Sequence, residues 1–257
     1  MRRGAKSPKR PILVVGLPGI GNVGRLVAEH LRKQFHAERL ATIYSPHFPP
    51  QAVMLKNGCL RLAAGRLYLI EAQARAGNDI LLLTGDAQPV TPEGQYSFNS
   101  TIVDMFKKVY NGTFIYTIGG YSISETPVNE PRVFGNATTR RVIEDFKDSG
   151  VLFGQSRGAI MGSAGLIITF ARMRALDGVC LMGETSFLDV DAAAAKAVLL
   201  VLSKRLRLPI DTARLDAIVT RTSNTIREIE AYAHQQEQHQ TAQGQQDQTN
   251  QRPSYIR

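Results

Sequence analysis

Cysteine, long apolar runs and metal-ligand spacings are all scarce in this sequence, and each scarcity removes a class of function. Cys59 and Cys180 are far apart and no C-x-x-C occurs. That excludes zinc ribbons and dithiol redox motifs, and fits a reducing cytoplasm. Apolar runs such as Ile80–Leu83 fall far short of the ~20 residues a membrane helix needs. The basic start runs directly into a strand-like segment, so no secretory signal pattern is present. His30, His36 and His47 lack an H-E-x-x-H arrangement, so neither metal nor cofactor is implied. No aromatic-interleaved basic patch points to nucleic acid, which is not an expected partner.

What is present begins with Gly16-Leu-Pro-Gly-Ile-Gly-Asn-Val-Gly24, preceded by the apolar Pro11–Val15 and followed by an apolar-periodic stretch at Leu26, Val27, His30 and Leu31. Strand, glycine turn and helix in that order open an α/β fold. Gly19, Gly21 and Gly24 satisfy G-x-G-x-x-G, the turn that cradles a pyrophosphate on helix N-terminal amides. Two requirements of a nucleotide site are missing. The expected second strand, Leu40–Tyr44, is followed by Ser45-Pro46-His47 without a carboxylate, and Glu38 precedes it. The turn continues as Gly24-Arg25-Leu26, not the Gly-Lys-Ser/Thr of a phosphate loop. The simpler reading is a sharp turn that lets a helix pack closely on a sheet.

Strand-like runs recur at Ala41–Tyr44, Leu67–Glu71, Asp79–Thr84, Thr113–Thr117, Gly150–Phe153 and Val179–Met182. Helical stretches at Phe98–Tyr110, Thr138–Asp148 and Ala192–Arg207 lie among them. Ser97 or Asn99, Asn136 or Thr138, and Asp191 are their candidate caps. This alternation predicts an α/β fold, a three-layer α/β/α sandwich with a mostly parallel central sheet. Several strands end at glycine, and ligands of open α/β sheets bind at strand carboxyl ends. Asp86, Glu93, Glu125, Glu130 and Glu184 are the carboxylates such a cleft could use. One reading on residues alone is therefore a small-molecule enzyme or nucleotide binder built from Gly19, Gly21, Asn22, Asp86, Glu93 and Glu184. The other is that these loops are structural turns and surface caps.

Ser156 in Gly154-Gln-Ser-Arg-Gly158 matches the G-x-S-x-G nucleophile elbow in spacing. The histidines downstream of it, His234 and His239, lie in a polar tail, which argues against a hydrolase and leaves no catalytic residue. Residues 211–232 carry an apolar stripe at Leu215, Ile218, Val219, Thr222, Ile226 and Ile229. It can pack on its own core or on a second copy.

The chain is organised in three parts. Residues 1–10 are a basic arm, expected to be disordered, holding five of the cations behind the net charge of +9. Residues 11–232 form one domain. Residues 233–257 are Gln-rich and too polar to fold, yet end Pro253-Ser-Tyr-Ile-Arg257. A tether of that length reaches roughly 25–30 Å and could deliver Tyr255, Ile256 and Arg257 to a partner.

Taken in order, Gly16–Gly24, Tyr44–Pro50, Leu83–Pro89 with Pro92–Tyr96, Tyr116–Tyr121, Pro131–Ala137, Gly162–Leu166 and Cys180–Thr185 resemble the proteasome assembly chaperone family, archaeal members above all. The resemblance implies a purine nucleoside phosphorylase-like domain without enzymatic activity, assembled as an oligomer. It also implies binding to proteasome α-subunits and promotion of core-particle assembly. Gly19, Gly21, Asn22, Gly24, Asp86, Glu93 and Glu184 fall in the shared stretches, without a role that the resemblance assigns. Some archaeal members end hydrophobic–Tyr–any residue, a tail that enters pockets between α-subunits. Here Tyr255 is third from the end and Ser254 precedes it.

Overall fold

The computed structural model describes residues 8–72, 78–123, 128, 130–186 and 190–222. Glu125, the tail residues Tyr255, Ile256 and Arg257, His234 and His239 lie outside them. Two compact units divide the chain after Leu215. Of the second, residues 216–222 are helical. The first carries the sheet and the helices that cover it.

In chain order its elements are β1 (Ile12–Val15), a 3-10 turn (Ile20–Asn22), α1 (Val23–Gln34), β2 (Glu38–Ile43), β3 (Ala52–Met54), β4 (Leu60–Leu62), β5 (Gly65–Ile70) and β6 (Ile80–Gly85). Then come α2 (Pro92–Lys108), β7 (Phe114–Ser122), β8 (Val133–Ala137), α3 (Arg140–Asp145), β9 (Val151–Phe153), α4 (Ser163–Met173), β10 (Asp177–Thr185) and α5 (Ala192–Leu206).

Eight strands form one sheet in the order β2-β5-β6-β1-β7-β10-β8-β9. The central four, β6, β1, β7 and β10, run parallel. β5 is antiparallel to β6, and β2 to β5. β8 is antiparallel to β10 and parallel to β9. The sheet is thus mixed, with a parallel heart and reversed flanks. Strands β1 and β10 are buried nearly throughout, as helices on both faces require.

Alternation sorts the two faces. Leu13, Val15, Cys180 and Met182 share a cluster with Phe98, Ile102 and Phe106 of α2 and Ile167 and Ile168 of α4. Residues of opposite parity, Val14, Val179 and Leu181, are equally buried, and α1 and α5 pack together over that face. A Cβ added at Gly183 would stand 2.8 Å from the Ala194 carbonyl oxygen, so α5 lies nearly on the strand backbone. Arg174 stitches α2 to α4 through Asp104 at 2.7 Å and Ser100 at 2.6 Å.

Helix starts follow local chemistry. Asp191 caps α5, accepting from the Ala194 amide at 2.9 Å as expected. α2 begins six residues before the expected Phe98: Thr91 accepts from the Gly94 amide and Pro92 occupies the first turn, where its missing N–H costs nothing. α3 is capped by Thr139, one residue after the expected Thr138.

Candidate functional site

The glycine turn is a packing device. A Cβ at Gly16 would fall 2.1 Å from the Gly24 carbonyl oxygen, and one at Gly24 2.6 Å from that of Ile118 in β7. Gly21 has φ +60° and a Cβ there would meet Thr185 Oγ1 at 2.8 Å. The Asn22 amide donates to the Gly19 carbonyl and that of Val23 to Ile20. These turn amides are therefore spent within the turn. The Gly21 carbonyl accepts the Asp191 amide at 2.8 Å. Asp191 also accepts from Thr185 Oγ1 at 2.6 Å, so one residue, through its amide and its carboxylate, ties turn, β10 and α5 together.

The sheet order removes Glu38 as a ribose-binding acid; the acid that follows β6, beside β1, is Asp86. A ribose-binding acid sits at the end of a strand beside β1. Here β6 and β7 flank β1, and β2 lies at the sheet edge. Glu38, expected to precede β2, is its first residue, at the strand's beginning.

Two of the carboxylates suggested as cleft groups are occupied elsewhere. Asp86 accepts from Arg61 at 2.9 Å, Arg66 at 2.6 Å and the Ala64 amide at 3.0 Å. Burial alone would raise its pKa, but the Arg61 and Arg66 hydrogen bonds prevail and hold it well below the ordinary carboxylate range. Glu184 takes Arg132 bidentately, both bonds at 2.7 Å, and hydrogen bonding to that guanidinium lowers its pKa. Glu93 is an exposed first-turn residue of α2. Glu130 is exposed. Among the described residues, no group of acids, histidines and cysteines is placed to hold a metal.

The serine elbow is also absent. β9 ends at Phe153 and α4 starts only at Ser163, whereas the motif needs an immediate strand-to-helix turn. Ser156 Oγ instead accepts from Asn136 Nδ2 at 3.1 Å. His47 hydrogen-bonds Thr91 at 2.9 Å, and His30 bonds Gln34 at 3.0 Å.

Two features remain. One is a cleft of about 770 Å³ at the carboxyl ends of the parallel strands. Gly19 and Gly24 line it; Gly21, Asn22, Asp86, Glu93 and Glu184 do not. The other was not read from the sequence. β3 and β4 pair into a two-stranded ribbon with Ala52 opposite Leu62 and Met54 opposite Leu60. This face is open: Met54 is 84% exposed, Leu60 65% and Leu62 67%. On the reverse face, Val53 packs on the core and Arg61 reaches Asp86. Leu60-Arg61-Leu62 alternates with period two, but with its apolar residues facing outward; Ala52-Val53-Met54 does not alternate.

The PAC2 family profile matches residues 13–230. The chain belongs to the PAC2 family. This agrees with the resemblance carried by its ordered sequence blocks. A PAC2 relative, the uncharacterized protein MJ1210 of Methanocaldococcus jannaschii, is 35% identical over 205 residues, covering 80% of this chain and 77% of that protein. Among solved PAC2-like folds, Pyrococcus furiosus PbaB, described as an archaeal proteasome activator, superposes with a TM-score of 0.82. It is 34% identical over 88% of this chain and 96% of its own. PbaA of the same organism, an archaeal homolog of proteasome-assembly chaperone, shares the fold at a TM-score of 0.73 and 24% identity, over 96% of this chain and 97% of its own.

Proposed function

We propose that this PAC2 protein is a non-enzymatic chaperone or adaptor in the cytoplasm, a homo-oligomer that binds proteasome α-subunits and promotes core-particle assembly. The observation that carries this reading is the ribbon face of Met54, Leu60 and Leu62. Exposed, contiguous apolar side chains on a well-packed fold mark a protein-contact surface. Its reverse face is anchored to the core by Val53 and to Asp86 by Arg61, so the apolar side chains are left facing outward. The terminal Tyr255, Ile256 and Arg257 would add a tethered second contact, raising effective concentration at an α-ring.

A binding assay on purified α-subunits tests both contacts. Full-length protein, a Met54→Ser/Leu60→Ser/Leu62→Ser variant and a chain ending at residue 233 are compared. Exposed substitutions should change stability by only ~0.5 kcal/mol each. We expect the triple variant to lose at least about tenfold in affinity, equal to ~1.4 kcal/mol, and the shortened chain to lose less. Unchanged affinity in both would sink the proposal. The likeness to PbaB supports a second reading, activation of the finished core particle. Peptide hydrolysis by mature particles separates it: acceleration on adding this protein favours activation, and faster particle formation from free subunits favours assembly.

A further inference from the structure

The cleft at the strand carboxyl ends is independent of the ribbon, and its chemistry is one-sided. Its charged lining residues are Arg157 and Arg172; among the described residues no aspartate or glutamate lines it. Among the described residues neither guanidinium has an ion-pair partner. The N-terminus of α4 opens into the same space. Of its first amides, that of Ser163 donates to Gln88 Oε1 at 2.8 Å and that of Leu166 to the Gly162 carbonyl at 3.2 Å. This leaves the amides of Ala164 and Gly165, both in the lining, among the donors a helix start leaves over. The positive end of the helix dipole adds to them.

A second observation points to a ligand. Ser163 lines the cleft, is 1% exposed, and its hydroxyl has no hydrogen-bond partner. Ser122 lines it too, with a hydroxyl in the same condition. Buried polar groups are ordinarily satisfied, and each orphan costs about 1–3 kcal/mol. Two at one cleft wall, beside free amides and an unpaired arginine, make a set of donors without an acceptor. The backbone at Arg157 is tied to the cleft wall: its amide donates to the Tyr121 hydroxyl at 3.1 Å, and the adjacent Ser156 accepts from Asn136. Apolar side chains on the wall include Ile118, Met161 and Met182.

We infer that this cleft binds a small organic anion, with its oxyanion at the N-terminus of α4 beside Ser163 and Arg157 and its apolar body against Ile118, Met161 and Met182. Its volume suits such a molecule, since ligand clefts run ~300–1,000 Å³. The oxyanion can be a phosphate or a carboxylate; both accept the same donors.

Calorimetric titration of the full chain with 1-naphthyl phosphate, 1-naphthoate and neutral 1-naphthalenemethanol tests this and tells the two anions apart. We expect saturable one-to-one binding of at least one anion, about tenfold or more tighter than the neutral compound, and weaker at high salt. Arg157→Glu and Gly119→Val should each weaken it by about tenfold or more. Gly119 lines the cleft, and a Cβ there meets nothing closer than Ala164 at 3.6 Å, so the strand accepts the Cβ and the γ-methyls of valine take up space in the cleft. Arg157 is exposed, so its variant stays folded if the valine does not. No saturable binding of either anion, equal binding of the neutral compound, or full affinity in Arg157→Glu would overturn the inference.

Discussion

Asp86 illustrates how a residue that reads as catalytic can be architectural. Its side chain is 10% exposed and holds Arg61 of β4 and Arg66 of β5, so it fastens the ribbon to the main sheet. Asp86→Asn leaves two guanidinium groups without their counter-charge. Fully buried pairs lose ~3–5 kcal/mol on such a change, and partial exposure of Arg61 reduces this to about 2–3 kcal/mol. The aspartate pKa is depressed in the folded state. Its stabilisation is therefore complete above the unfolded value of ~3.9 and shrinks as pH falls below it. Urea melts should show the full gap between wild type and Asp86→Asn at pH 7, and a narrowing gap below about pH 4. Gly24 makes the opposite point, since its role is to have no side chain. Gly24→Ala places a methyl 2.6 Å from one carbonyl oxygen and 2.9 Å from another. Overpacking of this kind costs ~1–3 kcal/mol or more, which thermal unfolding would register as a lowered Tm.

At the scale of elements, Asp191 is the most economical target. It caps α5, accepts from Thr185 and donates its amide to Gly21. Asp191→Ala should cost about 2 kcal/mol, the upper end for a lost cap, measured by chemical denaturation. This cap, the glycine turn and the buried strands β1, β6 and β10 were legible because each is a local pattern: a polar residue before an apolar stripe, or an uninterrupted apolar run. β8 was not. Val133-Phe-Gly-Asn-Ala137 carries a glycine and an asparagine and reads as a loop; it is a strand because Gly135 admits Phe153 and Val151 against its backbone. The ribbon was missed because its apolar residues face away from the core. The cleft was legible only as a position. Residues such as Asp86 and Glu184 attracted attention through their charge, and their arginine partners come from distant segments. Arg157 and Ser163 fall in the stretches Gly154–Gly158 and Gly162–Leu166, but nothing local marks them as cleft donors, because that standing depends on which strands and loops converge on them.

Across the whole domain, the parallel heart and the ribbon should differ sharply in stability. β1 and β10 are buried on both faces, and β7 through its first half; the ribbon has three residues per strand and one open face. Hydrogen exchange should place the amides of Val14, Ile115 and Val179 near the global unfolding limit, and those of the paired Val53 and Arg61 in the ribbon well below it. Equal protection would mean that the ribbon and sheet open together. The sheet's two outer margins carry a further consequence. β9 is only three residues long, and β2 starts with the exposed pair Glu38-Arg39 and slips register between Arg39 and Ala41. Short, charged and irregular margins make poor templates for another backbone. Folded copies of this chain held at high concentration should thus not join main sheet to main sheet through these margins, and side chains should supply the contacts of any ring they form.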